Sequence, residues 1–69
     1  MISYEKIIKY VPVQIINTIN ECVKLQEVKI LENWLKDCKT EIQRREQEKE
    51  NTFPLFYEKA YLELVLNNK

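Results

Sequence analysis

The chain has no glycine and no histidine, and only one serine (Ser3), one aspartate (Asp37) and one alanine (Ala60) in 69 residues. Glycine supplies the positive φ of tight hairpins and the bare backbone of phosphate-cradling loops. Its absence argues against a β-rich fold and against a glycine-loop nucleotide site. Histidine is the usual general base near neutral pH and the commonest metal ligand. The single serine stands at the start of the chain, away from any candidate base. Cys22 and Cys38, with no histidine and no second cysteine pair, cannot close a four-ligand zinc site. Carboxylate pairs remain as an acid–base possibility, but Glu41, Glu46, Glu48 and Glu50 lie on charged faces that read as solvated. The expectation is a non-catalytic protein with no metal and no cofactor.

Neither sign of charge dominates, with eleven basic and eleven acidic residues. The chain therefore offers no net attraction to nucleic acid or to an anionic membrane. No apolar run approaches about 18 residues, so no membrane-spanning helix is expected. The opening MISYEKIIKY carries Glu5 and lacks the apolar core of a secretory signal, which suggests a cytoplasmic protein. An apolar content of 45% argues against disorder. The length allows one domain, 1–69, which buries only about 60% of its unfolded surface. Chains this small often gain stability by oligomerising.

What is present is helical spacing. Ser3 is placed to cap a short first helix whose apolar side is Tyr4, Ile7, Ile8 and Val11. Pro12 stops it and can open the next helix at its first position. Ile15, Ile16, Ile19, Cys22 and Val23 form one helical stripe. Val28, Leu31, Leu35, Cys38 and Ile42 form another, with the three-and-four steps of a coiled-coil seam. The two stripes are out of phase. Either the chain breaks near Lys24–Glu27 into a helical hairpin, or one long helix rotates its stripe. No Gly, Pro, Asn, Asp or Ser between Glu21 and Glu32 supports the break. One helix over 13–50 would be about 57 Å long at ~1.5 Å per residue, and would need a partner chain to cover it. Both arrangements keep Cys22 and Cys38, sixteen residues apart, beyond disulfide reach. They read as core thiols.

After Ile42 come ten residues without an apolar side chain, Gln43 to Thr52. Over 41–50 four acidic residues face three basic ones, a net charge of −1, which does not describe a nucleic-acid tail. Glu41 with Arg45, Arg44 with Glu48 and Glu46 with Lys49 are spaced to pair along a helix. The run reads as the solvated end of the helix carrying Ile42, with Asn51 as its left-handed cap. The hairpin reading together with Thr40–Arg45 (TEIQRR) resembles the short helical-hairpin kinase inhibitors of sporulating bacteria. That resemblance covers less than half the chain, rests on the helix pattern and the Arg44–Arg45 pair, and implies no residue roles.

Phe53 to Leu66 is the most apolar segment. At about 100° per residue, Phe53, Phe56, Tyr57, Ala60, Tyr61 and Leu64 fill one arc, expected to pack on the preceding helix. Leu55, Leu62 and Leu66 form a second stripe with no evident internal partner, and Trp34, beside the Leu31/Leu35 seam, reads either as core or as an interface anchor. These four residues, Trp34, Leu55, Leu62 and Leu66, are the expected partner interface, because tryptophan is enriched in binding hot spots and exposed apolar stripes mark contact sites. A strand over Ala60–Leu66 is the alternative, since Leu62, Leu64 and Leu66 alternate. Lys24, Lys29, Lys36, Lys39, Arg44 and Arg45 could form a basic strip, but Glu27, Glu32, Asp37 and Glu41 interrupt it. The expected fold is all-α, a small bundle of three to four helices (helical hairpin plus C-terminal helix), or one long helix in a dimer. The expected function is protein–protein interaction as a small regulator, inhibitor or adaptor with a protein partner, and as a homodimer. A helix-turn-helix DNA-binding regulator is the second reading.

Overall fold

The computed structural model describes residues 4–67. Four helices occupy them: α1 (Tyr4–Tyr10), α2 (Val13–Lys24), α3 (Val28–Gln47) and α4 (Phe53–Asn67). The expected cap at Ser3 lies outside the described residues. Pro12 takes φ −56° and ψ 140° and sits just before α2 rather than within it. Its carbonyl accepts the amides of Ile15 and Ile16, while Val11 N–H closes α1 on Ile7 O.

The hairpin is the form adopted. The longest dimension of the molecule is 36 Å, too short for the helix of about 57 Å that an unbroken 13–50 requires. The break comes at Leu25–Glu27, without a conventional turn residue, because Gln26 itself adopts φ 58°. Glu27 N–H then bonds Cys22 O at 2.9 Å and Gln26 N–H bonds Val23 O at 3.1 Å. This is the paired closure of a Schellman motif, which usually recruits glycine.

The same device ends α3. Lys49 adopts φ 57°, Glu50 N–H bonds Arg45 O, and Lys49 N–H bonds Glu46 O. The helix therefore stops at Gln47, not at Asn51, and the Glu46–Lys49 pairing does not form among the described residues. Asn51 serves the next helix instead: its Oδ1 accepts Phe53 N–H at 3.0 Å, covering one of the amides left open at the start of α4.

One core holds the four helices. It is built from Ile7 and Val11 of the α1 segment, Ile19 of α2, Leu31 and Cys38 of α3, and Tyr61 and Leu62 of α4. The α3 seam behaves as its spacing predicts: Leu31 and Cys38 are buried, and Val28, Leu35 and Ile42 are half-buried. Helix α4 touches α1, α2 and α3. It is helical through Asn67, so Ala60–Leu66 is not a strand. None of the described helices is long and apolar enough to cross a membrane.

Candidate interaction surface

The central position of α4 corrects the reading of its two apolar stripes. Leu62 has no solvent exposure and is one of the two most completely buried large side chains, with Ile19. Leu55 and Leu66 are half-buried against the same core. These three leucines therefore face inward, and Leu62 is not available to a partner. The arc expected to face inward is split: Phe53 is 45% exposed, Phe56 44% and Leu64 39%, whereas Tyr57 and Ala60 are half-buried against the core. Tyr61 alone of that arc is fully buried, and its hydroxyl donates to Asn20 Oδ1 at 2.6 Å. Burial, and secondarily Tyr4, push the Tyr61 phenol above its ordinary pKa, against the opposing pull of Asn20. The difference has a simple cause. Periodicity identifies faces, but in a helix contacted by three others both faces are apolar, and neighbours decide which is covered.

Trp34 is half-buried and packs against the core. Its indole N–H donates to Glu58 Oε2 at 2.8 Å, and the Cys38 thiol lies 3.3 Å from the same oxygen. One carboxylate oxygen of α4 thus gathers two donors from successive turns of α3. Burial first, then the hydrogen bond to Glu58 and its charge, push the Cys38 thiol up to about 12. Cys22 and Cys38 are both free thiols, as expected. Sequence reasoning missed Glu58. The available signal was position: Glu58 lies three residues after Leu55 and four before Leu62, on the stripe that turns inward.

On its outer side α4 shows an uncharged stripe. Phe53, Phe56, Ala60, Leu64 and the polar Asn67 fall within an arc of about 80° at ~100° per residue; Phe53, Phe56 and Leu64 are exposed, and Ala60 is half-buried between them, packed against the core. At its N-terminal end it merges with an aromatic group. Tyr10 of α1 lies 4.9 Å from Phe53 and 5.0 Å from Tyr57, ring to ring, and Phe56 meets Tyr57 edge-on at 5.8 Å. Such ring pairs add about 0.5–1.5 kcal/mol beyond the area they bury. One edge of the face is polar: Lys59 Nζ is 3.3 Å from Glu63 Oε1 and 5.8 Å from the Phe56 ring centre. Beyond that edge, Lys39, Ile42, Gln43 and Lys59 line an open groove of about 210 Å³.

The polar run at the end of α3 satisfies itself. Arg44 bonds Glu41 at 2.6 Å and also pairs with Glu48 and, at 3.4 Å, Glu50. Arg45 bonds Glu41 at 3.0 Å and reaches Asn51 O at 3.2 Å across the turn into α4. Hydrogen bonds from Arg44 and then Arg45 hold the Glu41 carboxyl down to about 2. Both arginines are thus engaged within the chain. Among the described residues no group of three or more His, Cys, Asp or Glu side chains could hold a metal ion. In comparisons with protein families, curated proteins and solved structures, none matches the chain.

Proposed function

We propose that this chain is a non-catalytic protein–protein interaction module, a small regulator or adaptor that binds through the outer face of α4. The observation that carries the reading is the exposed, charge-free stripe of Phe53, Phe56 and Leu64 beside the Tyr10–Phe53–Tyr57 ring group. Rigid aromatic side chains offer large contact area at low entropic cost, and they dominate protein interfaces. A face without charge has nothing with which to recognise phosphate or carboxylate, so its complement is an apolar protein surface. Of the other exposed apolar residues, Val23, Leu25 and Ile30 around the α2–α3 turn are interspersed with Lys24, Glu27 and Lys29, and Tyr4, Ile8 and Val13 are spread over α1 and the start of α2 beside Glu5, Lys6 and Lys9.

The DNA-binding reading has less support, because Arg44 and Arg45 are paired with glutamates. The test compares wild type with the Phe56→Lys/Leu64→Lys double variant as baits in lysate of the source cell. Captured protein should be lost with the variant while its helical circular dichroism is retained. Equal capture by both would move the binding surface elsewhere. Retention on heparin that falls steeply with salt would favour the DNA reading instead.

A further inference from the structure

We infer that this face accepts a second copy of the same chain, with the two α4 helices packed antiparallel about a two-fold axis through Ala60. The inference rests on the interaction reading above and supplies its partner. Phe53, Phe56, Leu64 and Asn67, all exposed, stand at −7, −4, +4 and +7 about the half-buried Ala60. In an antiparallel two-fold contact the same patch meets itself, each position facing its mirror offset. Phe56 therefore meets Leu64 of the second copy, and Phe53 meets Asn67. The crossing falls on the only alanine in the chain, where the smallest side chain of the face permits a close approach of the helix axes.

Charge on the rim favours the same arrangement. Lys59 and Glu63 lie on one edge of the stripe. A two-fold axis between antiparallel helices keeps that edge beside its own copy and reverses its direction. Glu63 then comes within two residues' rise, about 3 Å along the helix, of Lys59 of the second copy. The two Lys59 are equally close along the axis, but at ~100° per residue they lie about 100° from the centre of the stripe against about 60° for Glu63, so they stand farther apart across the seam and the two Lys59–Glu63 pairs are the nearer charges. A parallel pair would set this edge against the Tyr57 edge of the other copy, with no countercharge there. The stripe is only about 22 Å long at ~1.5 Å per residue. It lies at the small end of stable interfaces, so the dimer dissociates on dilution.

Sedimentation velocity of the wild-type chain over a concentration series tests the association directly, and the expected result is a reversible monomer–dimer equilibrium. Cysteine trapping under mild oxidation tests the geometry. Ala60→Cys should cross-link to a dimer. Phe56→Cys alone should not, because its copies sit eight residues, about 12 Å, apart along the axis, beyond disulfide reach. A mixture of Phe56→Cys and Leu64→Cys should cross-link as a heterodimer. Wild type, with its native Cys22 and Cys38, is the background control. A wild-type chain that remains monomeric throughout overturns the inference, as does self-trapping of Phe56→Cys as efficient as that of Ala60→Cys. A monomer whose capture of another protein still depends on Phe56 and Leu64 overturns only the second copy and leaves the interaction reading standing.

Discussion

The indole N–H of Trp34 donates to Glu58 Oε2 at 2.8 Å, joining α3 to α4 across 24 residues of sequence. The same oxygen takes the Cys38 thiol, so a single half-buried carboxylate satisfies two donors that packing has removed from water. Hydrogen bonds to charged groups are worth about 1.5–3 kcal/mol. Glu58→Ala should therefore lower stability by that order in urea unfolding. Glu58→Gln, which keeps an acceptor oxygen, should cost less. Trp34 is the only tryptophan, so its emission reports the site directly and should shift to the red in Glu58→Ala. Unchanged stability and emission would mean that the bond does not form in solution.

Two helices end on left-handed residues in a chain without glycine. Gln26 at φ 58° and Lys49 at φ 57° each carry a Cβ where glycine would not. Left-handed conformation costs a non-glycine residue about 1–2 kcal/mol. Glycine in turn loses roughly 0.5–1 kcal/mol more backbone entropy on folding. The net gain for Gln26→Gly or Lys49→Gly should be about 0.5–1 kcal/mol, and the two sites are remote enough to add. Thermal unfolding of both singles and the double checks this. Destabilisation by either glycine would show that the chain turns differently there.

Much of this architecture is legible in the sequence, for reasons tied to particular residues. The seam of Leu31, Leu35, Cys38 and Ile42 faces solvent-exposed Lys36, Asp37 and Lys39 on the other side of α3, so its inward face is unambiguous. The α2–α3 break is readable as a phase change between two stripes, although its turn chemistry is not, because Gln26 carries no signal for positive φ. Helix α4 offers no such contrast: Leu62 and Phe56 are both apolar, and only the positions of α1, α2 and α3 decide between them. Glu58 is hidden by a related difficulty, since a carboxylate looks solvated until its donors on another helix are known.

The corrected orientation of α4 makes a sharp contrast between two kinds of substitution. Leu62 is fully enclosed, so Leu62→Ala removes contacts on every side and leaves a cavity. Such truncations cost about 2–5 kcal/mol, a large part of the stability of a domain this small. The outer pair Phe56→Lys and Leu64→Lys should instead cost well under that and leave the helices formed, since both residues already face water in part. Chemical denaturation of the two variants in parallel separates the cases. A collapse of the outer variant with tolerance of Leu62→Ala would reverse the inside and outside of α4.

Cys38 gives the fold an alkaline limit. Its thiol is pushed from an ordinary value of 9.0 up to about 12, by burial and then by the neighbouring Glu58, with Asp37 adding to the effect. A thiol whose folded pKa lies above its unfolded one favours the folded state while it is protonated. That contribution is fully present below pH 9 and is lost as pH rises from there through about 12. Lysines and tyrosines also titrate in this range, so the informative quantity is a difference between chains. Stability measured from pH 8 upward should fall more steeply for wild type than for Cys38→Ala, which shares every other titrating group. Alkylation at pH 8 should modify the half-buried Cys22 first and Cys38 only slowly, because the thiolate is the reactive form. Comparable alkylation of both thiols, together with parallel alkaline slopes for the two chains, would show that Cys38 is not held protonated against α4.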